Sequence, residues 1–184
     1  MEPRRLRSRP FCASESQLAK VARSKQLNVE QARRAAYDLL SRKAWSRAEL
    51  TVRLVRRGAP EPLARQVVAE LEAQGYLNDQ AFARQWAEAR ASRQRLGSRR
   101  ISEELRLKGV PRPLVEAALR EAFSETPEEV QALEAARRRL PVLSRRSATR
   151  VPAKLLDYLL RRGYPAEVAR SVVRQLCKVE DTGG

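Results

Sequence analysis

Three times along the chain a glycine stands two residues before a proline, in Gly58-Ala59-Pro60, Gly109-Val110-Pro111 and Gly163-Tyr164-Pro165, and matched apolar residues flank each one. Eight and four residues ahead of the glycine come Leu50 and Leu54, Ile101 and Leu105, Leu155 and Leu159. Each pair falls one turn apart on one face of a helix. On the far side come Leu63, Val67, Val68 and Leu71, then Leu114, Ala118, Leu119 and Ala122, then Val168, Val172, Val173 and Leu176. Each unit therefore reads as helix, glycine stop, proline-led start and second helix. The glycines at 58, 109 and 163 follow one another by 51 and 54 residues, which leaves room in every unit for a third helix. The repeat predicts an all-α fold, an elongated tandem array of three three-helix repeats.

Local signals set the expected boundaries. Residues 1–27 are basic and carry no helical period, which reads as a disordered basic arm, either a passive tail or one that touches nucleic acid. The first repeat spans 28–75: Asn28 with Gln31 and Ser46 with Glu49 have the spacing of helix-start boxes, and Trp45 can staple onto Leu50. The second spans 76–123, with Asn78 as cap, Leu77 positioned to staple onto Phe82, Asp79 placed to complement the helix dipole, and Phe82, Trp86 and Ala89 facing inward. The third spans 124–184. Thr126, Pro127 and Glu129 open its first helix, which is expected to end near Leu140, before a serine- and arginine-rich loop at about 141–152 bounded by Pro141 and Pro152.

Composition narrows the chemistry. The chain has 184 residues and no histidine, and its two cysteines, Cys12 and Cys177, are far apart, so a zinc site, a histidine-activated nucleophile and a structural disulfide all lose their usual residues. Neither a phosphate-binding loop nor a dinucleotide-binding turn is present, and no cofactor is expected. Glu103-Glu104 and Glu128-Glu129 are better read as solvated faces and dipole partners than as metal ligands, because adjacent helical residues diverge by about 100 degrees. No stretch approaches the roughly 20 apolar residues of a membrane span, and the N-terminus lacks the apolar core of a secretory signal. A soluble, cytoplasmic, monomeric protein without catalytic activity is the expectation.

What the chain does have is charge. Thirty-eight lysines and arginines against 22 acids give a formal net charge of +16, which calls for an anionic partner, nucleic acid or a protein groove lined with carboxylates. GC-rich codon usage would also enrich arginine and alanine, so the surplus alone does not identify that partner. The cationic residues nevertheless fall in runs at equivalent helix junctions. Arg93, Arg95, Arg99 and Arg100 surround Leu96-Gly97 in the second repeat, and the helix start at Ser98 offers backbone N–H groups for a phosphate. Arg42, Lys43 and Arg47 hold the equivalent junction in the first repeat, and Arg145, Arg146 and Arg150 lie at that of the third. Aromatic residues to stack bases are few; Trp45, Phe82 and Trp86 sit at core-type positions.

One family shares this arrangement. Ser46-Arg47-Ala48-Glu49-Leu50 with Arg57-Gly58, Gly75-Tyr76-Leu77-Asn78-Asp79 with Phe82-Ala83, and Gly97 with Arg100-Ile101, Glu104-Leu105 and Lys108-Gly109-Val110 resemble, in order and spacing, the RecX regulatory proteins. The match is close over residues 31–122, and looser in the third repeat, where Gly163 and Pro165 carry it. Asn78 stands where the family often has an acid, which leaves the cap intact. The resemblance implies a non-enzymatic protein that lodges in the groove of the RecA filament and modulates it, suppressing ATP hydrolysis, strand exchange and coprotease activity. It carries no active site. Direct binding to single-stranded or double-stranded DNA, or to RNA, is the competing reading.

Overall fold

The computed structural model describes residues 26–145 and 150–177. The arm expected at 1–27 lies outside them except for its last two residues. Every regular element among the described residues is a helix, and the α-helices fall in three groups of three. Helices α1 (Val29–Leu40), α2 (Arg47–Arg56) and α3 (Glu61–Ala73) form the first module. The second holds α4 (Asp79–Glu88), α5 (Ser98–Leu107) and α6 (Arg112–Ala122); the third holds α7 (Glu128–Ser144), α8 (Val151–Arg161) and α9 (Ala166–Cys177).

The repeated apolar positions build one core per module. Leu50, Leu54, Ile101, Leu105, Leu155 and Leu159 are all completely buried, each worth about 1.5–3 kcal/mol relative to exposure. Gly58, Gly109 and Gly163 all adopt left-handed φ values, 99°, 72° and 86°, so the chain leaves each second helix by the same turn. Asn28 and Gln31 make a complete capping box, with bonds of 2.9 and 3.0 Å. Asn78 caps Ala81 N at 2.9 Å. Trp45 is buried in the first core and donates its indole N–H to Leu39 O at 2.9 Å. Leu77 joins that first core, whereas Phe82 belongs to the second.

Two local expectations are corrected, and one turn is new. The loop placed at 141–152 is helix as far as Ser144: α7 passes through Pro141, forgoing one backbone donor there, and buries Leu143 in the third core. The helix-to-loop cue from proline was outweighed by an apolar residue one half-turn further on. Residues 146–149 lie outside the described segment. In the second module, α4 continues into a π-helical turn, Ala89–Arg93, that buries Ala91 and leaves Arg95 at φ 51°. Thr126, expected to cap α7, makes no capping bond, since the helix starts after Pro127, and Glu128 bonds to Ser98 of the preceding module.

Extensive helix packing occurs within modules, and successive modules meet at two narrow joints built on one plan. The plan sets the end of a second helix against the start of the preceding module's second helix. At the first joint, Ser46, the N-cap of α2, donates its hydroxyl to Lys108 O at 2.5 Å while accepting Glu49 N at 3.1 Å. Asp79, the first residue of α4, accepts Arg47 N at 2.9 Å. At the second joint, Gly97, the N-cap of α5, donates its N–H to Arg162 O at 2.9 Å, and Arg99 N reaches Gly163 O at 3.0 Å. Glu128, the first residue of α7, accepts Ser98 N at 2.6 Å. Ahead of the first module, Leu27 N meets Gly58 O at 3.0 Å, so that glycine stop is covered as well.

Candidate functional site

Because each joint seats the end of one second helix against the start of another, each leaves a groove where the two meet. Val52, Arg53 and Arg56 of α2 face Arg106 and Leu107 of α5 across the first groove. Arg99, Arg100 and Glu103 of α5 face Leu160 and Arg161 of α8 across the second. Arg106 lines both, so the two grooves adjoin at α5, and cationic side chains of α2, α5 and α8 line them. Arg161 is paired with Asp157 at 2.8 Å and Arg100 approaches Glu104 at 3.5 Å. Arg56, Arg99 and Arg106 make no ion pair among the described residues and are exposed.

The sequence-derived junction clusters divide on inspection. Arg42 is exposed and pairs with Asp38 at 3.0 Å, and Lys43 Nζ lies 3.8 Å from the centre of the Trp45 ring. Arg47 is committed to the first joint: its Nη1 lies 2.8 Å from Glu72 and its Nε 3.1 Å from Asp79, whose side chain is only 5% exposed. Arg95 is structural too. Its backbone carbonyl accepts the buried Tyr164 hydroxyl at 2.8 Å and the Arg162 guanidinium, and its own Nε is 3.7 Å from Glu134. Arg93 stays exposed without an ion pair among the described residues. Arg145 is exposed at the end of α7; Arg146 lies outside the described residues, and Arg150 is exposed at the start of α8.

The helix start at Ser98 is therefore no open phosphate cradle. Its N–H and those of Gly97 and Arg99 are already bonded to Glu128, Arg162 and Gly163. The third module occupies the place expected for an anion. Burial pushes the Glu128 carboxyl above its usual range, against the hydrogen bonds from Ser98 that favour its charge.

Trp86 is half-buried and packs against the second core. Its indole N–H donates to Glu104 at 3.1 Å, and Arg90 and Lys108 lie 4.3 and 4.2 Å from the ring centre. With two cations against it, the ring is not a free platform for stacking a base. Glu104 also pairs with Arg90 at 2.8 Å, so this cluster holds the π-helical turn against α5. Among the described residues no acidic or cysteine cluster has the grouping of a metal site, and no helix is long and apolar enough to cross a membrane.

The groove residues Arg53, Arg56, Arg106 and Arg161 were not singled out from sequence. One signal for them was present: aligning the repeats on their glycines puts Arg56 and Arg161 at the same position, two residues before the stop.

Known proteins with this architecture agree with the repeat. The family descriptions "RecX, first three-helix domain" and "RecX, second three-helix domain" match residues 32–71 and 78–119. The regulatory protein RecX of Streptomyces coelicolor is 34% identical over 152 residues, covering 83% of this chain and 80% of the relative. That of Mycobacterium avium is 35% identical over 146 residues, covering 78% and 83%. The crystal structure of RecX from Lactobacillus salivarius superposes with a TM-score of 0.71 over 82% of this chain and 97% of that one, at 17% identity, a likeness of fold. Identity of 34% over 83% of its length, together with the two matched three-helix domains, places this chain in the RecX family of regulatory proteins.

Proposed function

We propose that the chain is a non-enzymatic, monomeric, cytoplasmic regulator that binds the RecA recombinase filament on DNA and lowers its ATP hydrolysis, strand exchange and coprotease activity. The observation that carries this reading is the pair of equivalently built grooves at successive joints, adjoining at Arg106. A repeating polymer with anionic surface offers matching sites at regular intervals, and a tandem array with one groove per joint can engage more than one of them at once. Binding that is stronger to one filament conformation than to another opposes the transitions linked to hydrolysis. The family's designation as regulatory proteins supports the same reading.

Direct, largely sequence-independent DNA or RNA binding is the second reading, favoured by the net charge of +16 and by Arg93 and Arg99, exposed without acidic partners among the described residues. The test is RecA's single-strand-dependent ATP hydrolysis with this protein at substoichiometric amounts, beside a DNA titration in the same salt. Inhibition below the concentration that coats naked DNA is the expected result. No effect until the DNA is saturated would transfer the conclusion to the second reading.

A further inference from the structure

The two grooves are equivalent in construction but not in chemistry. Six residues before each glycine stop stand Val52, Glu103 and Asp157; two residues before it stand Arg56, Leu107 and Arg161. The second groove consequently sets Glu103 and Arg161 on its facing walls, and the first sets Val52 and Leu107. Leu107 is 78% exposed and Val52 49%, and neither belongs to any of the three cores. A lone exposed leucine needs no explanation, but here two apolar side chains from different modules replace charged residues at paired positions of the repeat.

Around this apolar pair the charge is unmatched. The groove's own acid, Glu49, is taken by Lys108 Nζ at 2.9 Å. Arg56 and Arg106 have no acidic partner among the described residues, and Arg53 has only the Trp45 ring, 5.2 Å from its guanidinium. We propose that the groove between α2 and α5 binds an acidic protein segment that inserts an apolar side chain between Val52 and Leu107 while its carboxylates meet Arg53, Arg56 and Arg106. A polynucleotide would satisfy the arginines but gain little from an aliphatic pair, since bases are bound by aromatic stacking and base-edge hydrogen bonds. An apolar anchor ringed by arginines is how a protein partner is held. This inference rests on the filament-binding reading and names the part of the filament complex recognised there, protein rather than DNA.

Leu107→Arg separates the possibilities, because it restores the charged residue that the repeat has elsewhere and raises the positive charge. Co-sedimentation of the full chain with RecA filaments assembled on single-stranded DNA, alongside binding to the same DNA without RecA, is the experiment. The expected result is a loss of about tenfold in filament affinity with naked-DNA binding equal or tighter and an unchanged melting curve. Val52→Lys, from the opposite wall, should behave alike, and Leu107→Met should retain filament binding. Filament binding by Leu107→Arg equal to or tighter than the parent's would overturn the proposal and assign the groove to phosphate. A parent protein that binds filaments no better than naked DNA would overturn both this inference and the reading beneath it, and would be recognised before any variant is made.

Discussion

The carboxylate of Asp79, at the first residue of α4, accepts the backbone N–H of Arg47, at the first residue of α2 in the preceding module, at 2.9 Å. Glu128 and Ser98 stand in the same relation one module further on, at 2.6 Å. An acid opening one module thus caps the second helix of the module before it, satisfying a donor that helix geometry leaves free. The joints are made of helix-end chemistry more than of apolar packing. That makes them sensitive to single polar substitutions.

Asp79→Ala should destabilise the protein by about 1–3 kcal/mol, because it strips the acceptor from Arg47 N and from the Arg47 guanidinium together. Asp79→Asn keeps one acceptor oxygen and should lose less. Thermal melting of the three proteins checks the order; equal melting temperatures would mean that water replaces the carboxylate without cost.

Gly75 and Gly163 have similar left-handed φ values, 79° and 86°, but different surroundings. A Cβ on Gly75 meets nothing within 4 Å, whereas one on Gly163 would lie 2.3 Å from Arg100 Cβ. Gly75→Ala should therefore cost only the backbone term, about 1–2 kcal/mol. Gly163→Ala should cost more and also loosen the second joint, read as faster protease cleavage between the second and third modules.

Tyr164 is fully buried, its hydroxyl bonded to Arg95 O, and desolvation raises its pKa well above the ordinary tyrosine value. A folded-state pKa raised above the unfolded one gives stability that is complete below about pH 10 and declines as alkali rises through the folded value. Tyrosinate absorbance should show one of the four tyrosines ionising only as helicity is lost. Tyr164→Phe should remove that late component and lower stability by about 1 kcal/mol. A four-tyrosine titration complete before unfolding would contradict it.

Arg99→Glu with Arg106→Glu changes exposed side chains on α5 that have no ion-pair partner among the described residues, so helicity and melting should hold. With Arg106 assigned to a protein partner, the log-log salt slope for single-stranded DNA should fall by about 0.7, the share of Arg99; a fall of about 1.4 would put both on phosphates. An unchanged slope would leave the nucleic-acid contacts to other residues, Arg93 first among them.

Much of the local structure was legible. Asn28, Ser46 and Asn78 declare helix starts because their bonds close within three residues, and the glycine stops are visible because few residues but glycine take left-handed φ readily. The π-helical turn at Ala89–Arg93 was not legible, since it depends on Glu104 drawing in Arg90 and Trp86. Nor was the fate of the central arginine cluster. Adjacent in sequence, Arg93, Arg95, Arg99 and Arg100 separate into an exposed side chain, a joint member and two groove residues.

The amino-acid sequence by itself determined the three modules, their helices and their stops, because period, caps and glycine turns act within a few residues of themselves. Only the tertiary structure decided which charges are spent and which are free, since Arg47 finds Asp79 and Ser98 finds Glu128 across module boundaries. It alone brings Val52 to face Leu107. Such pairings depend on how one module seats on the next, and that seating is set by helix ends meeting at a distance no local pattern encodes.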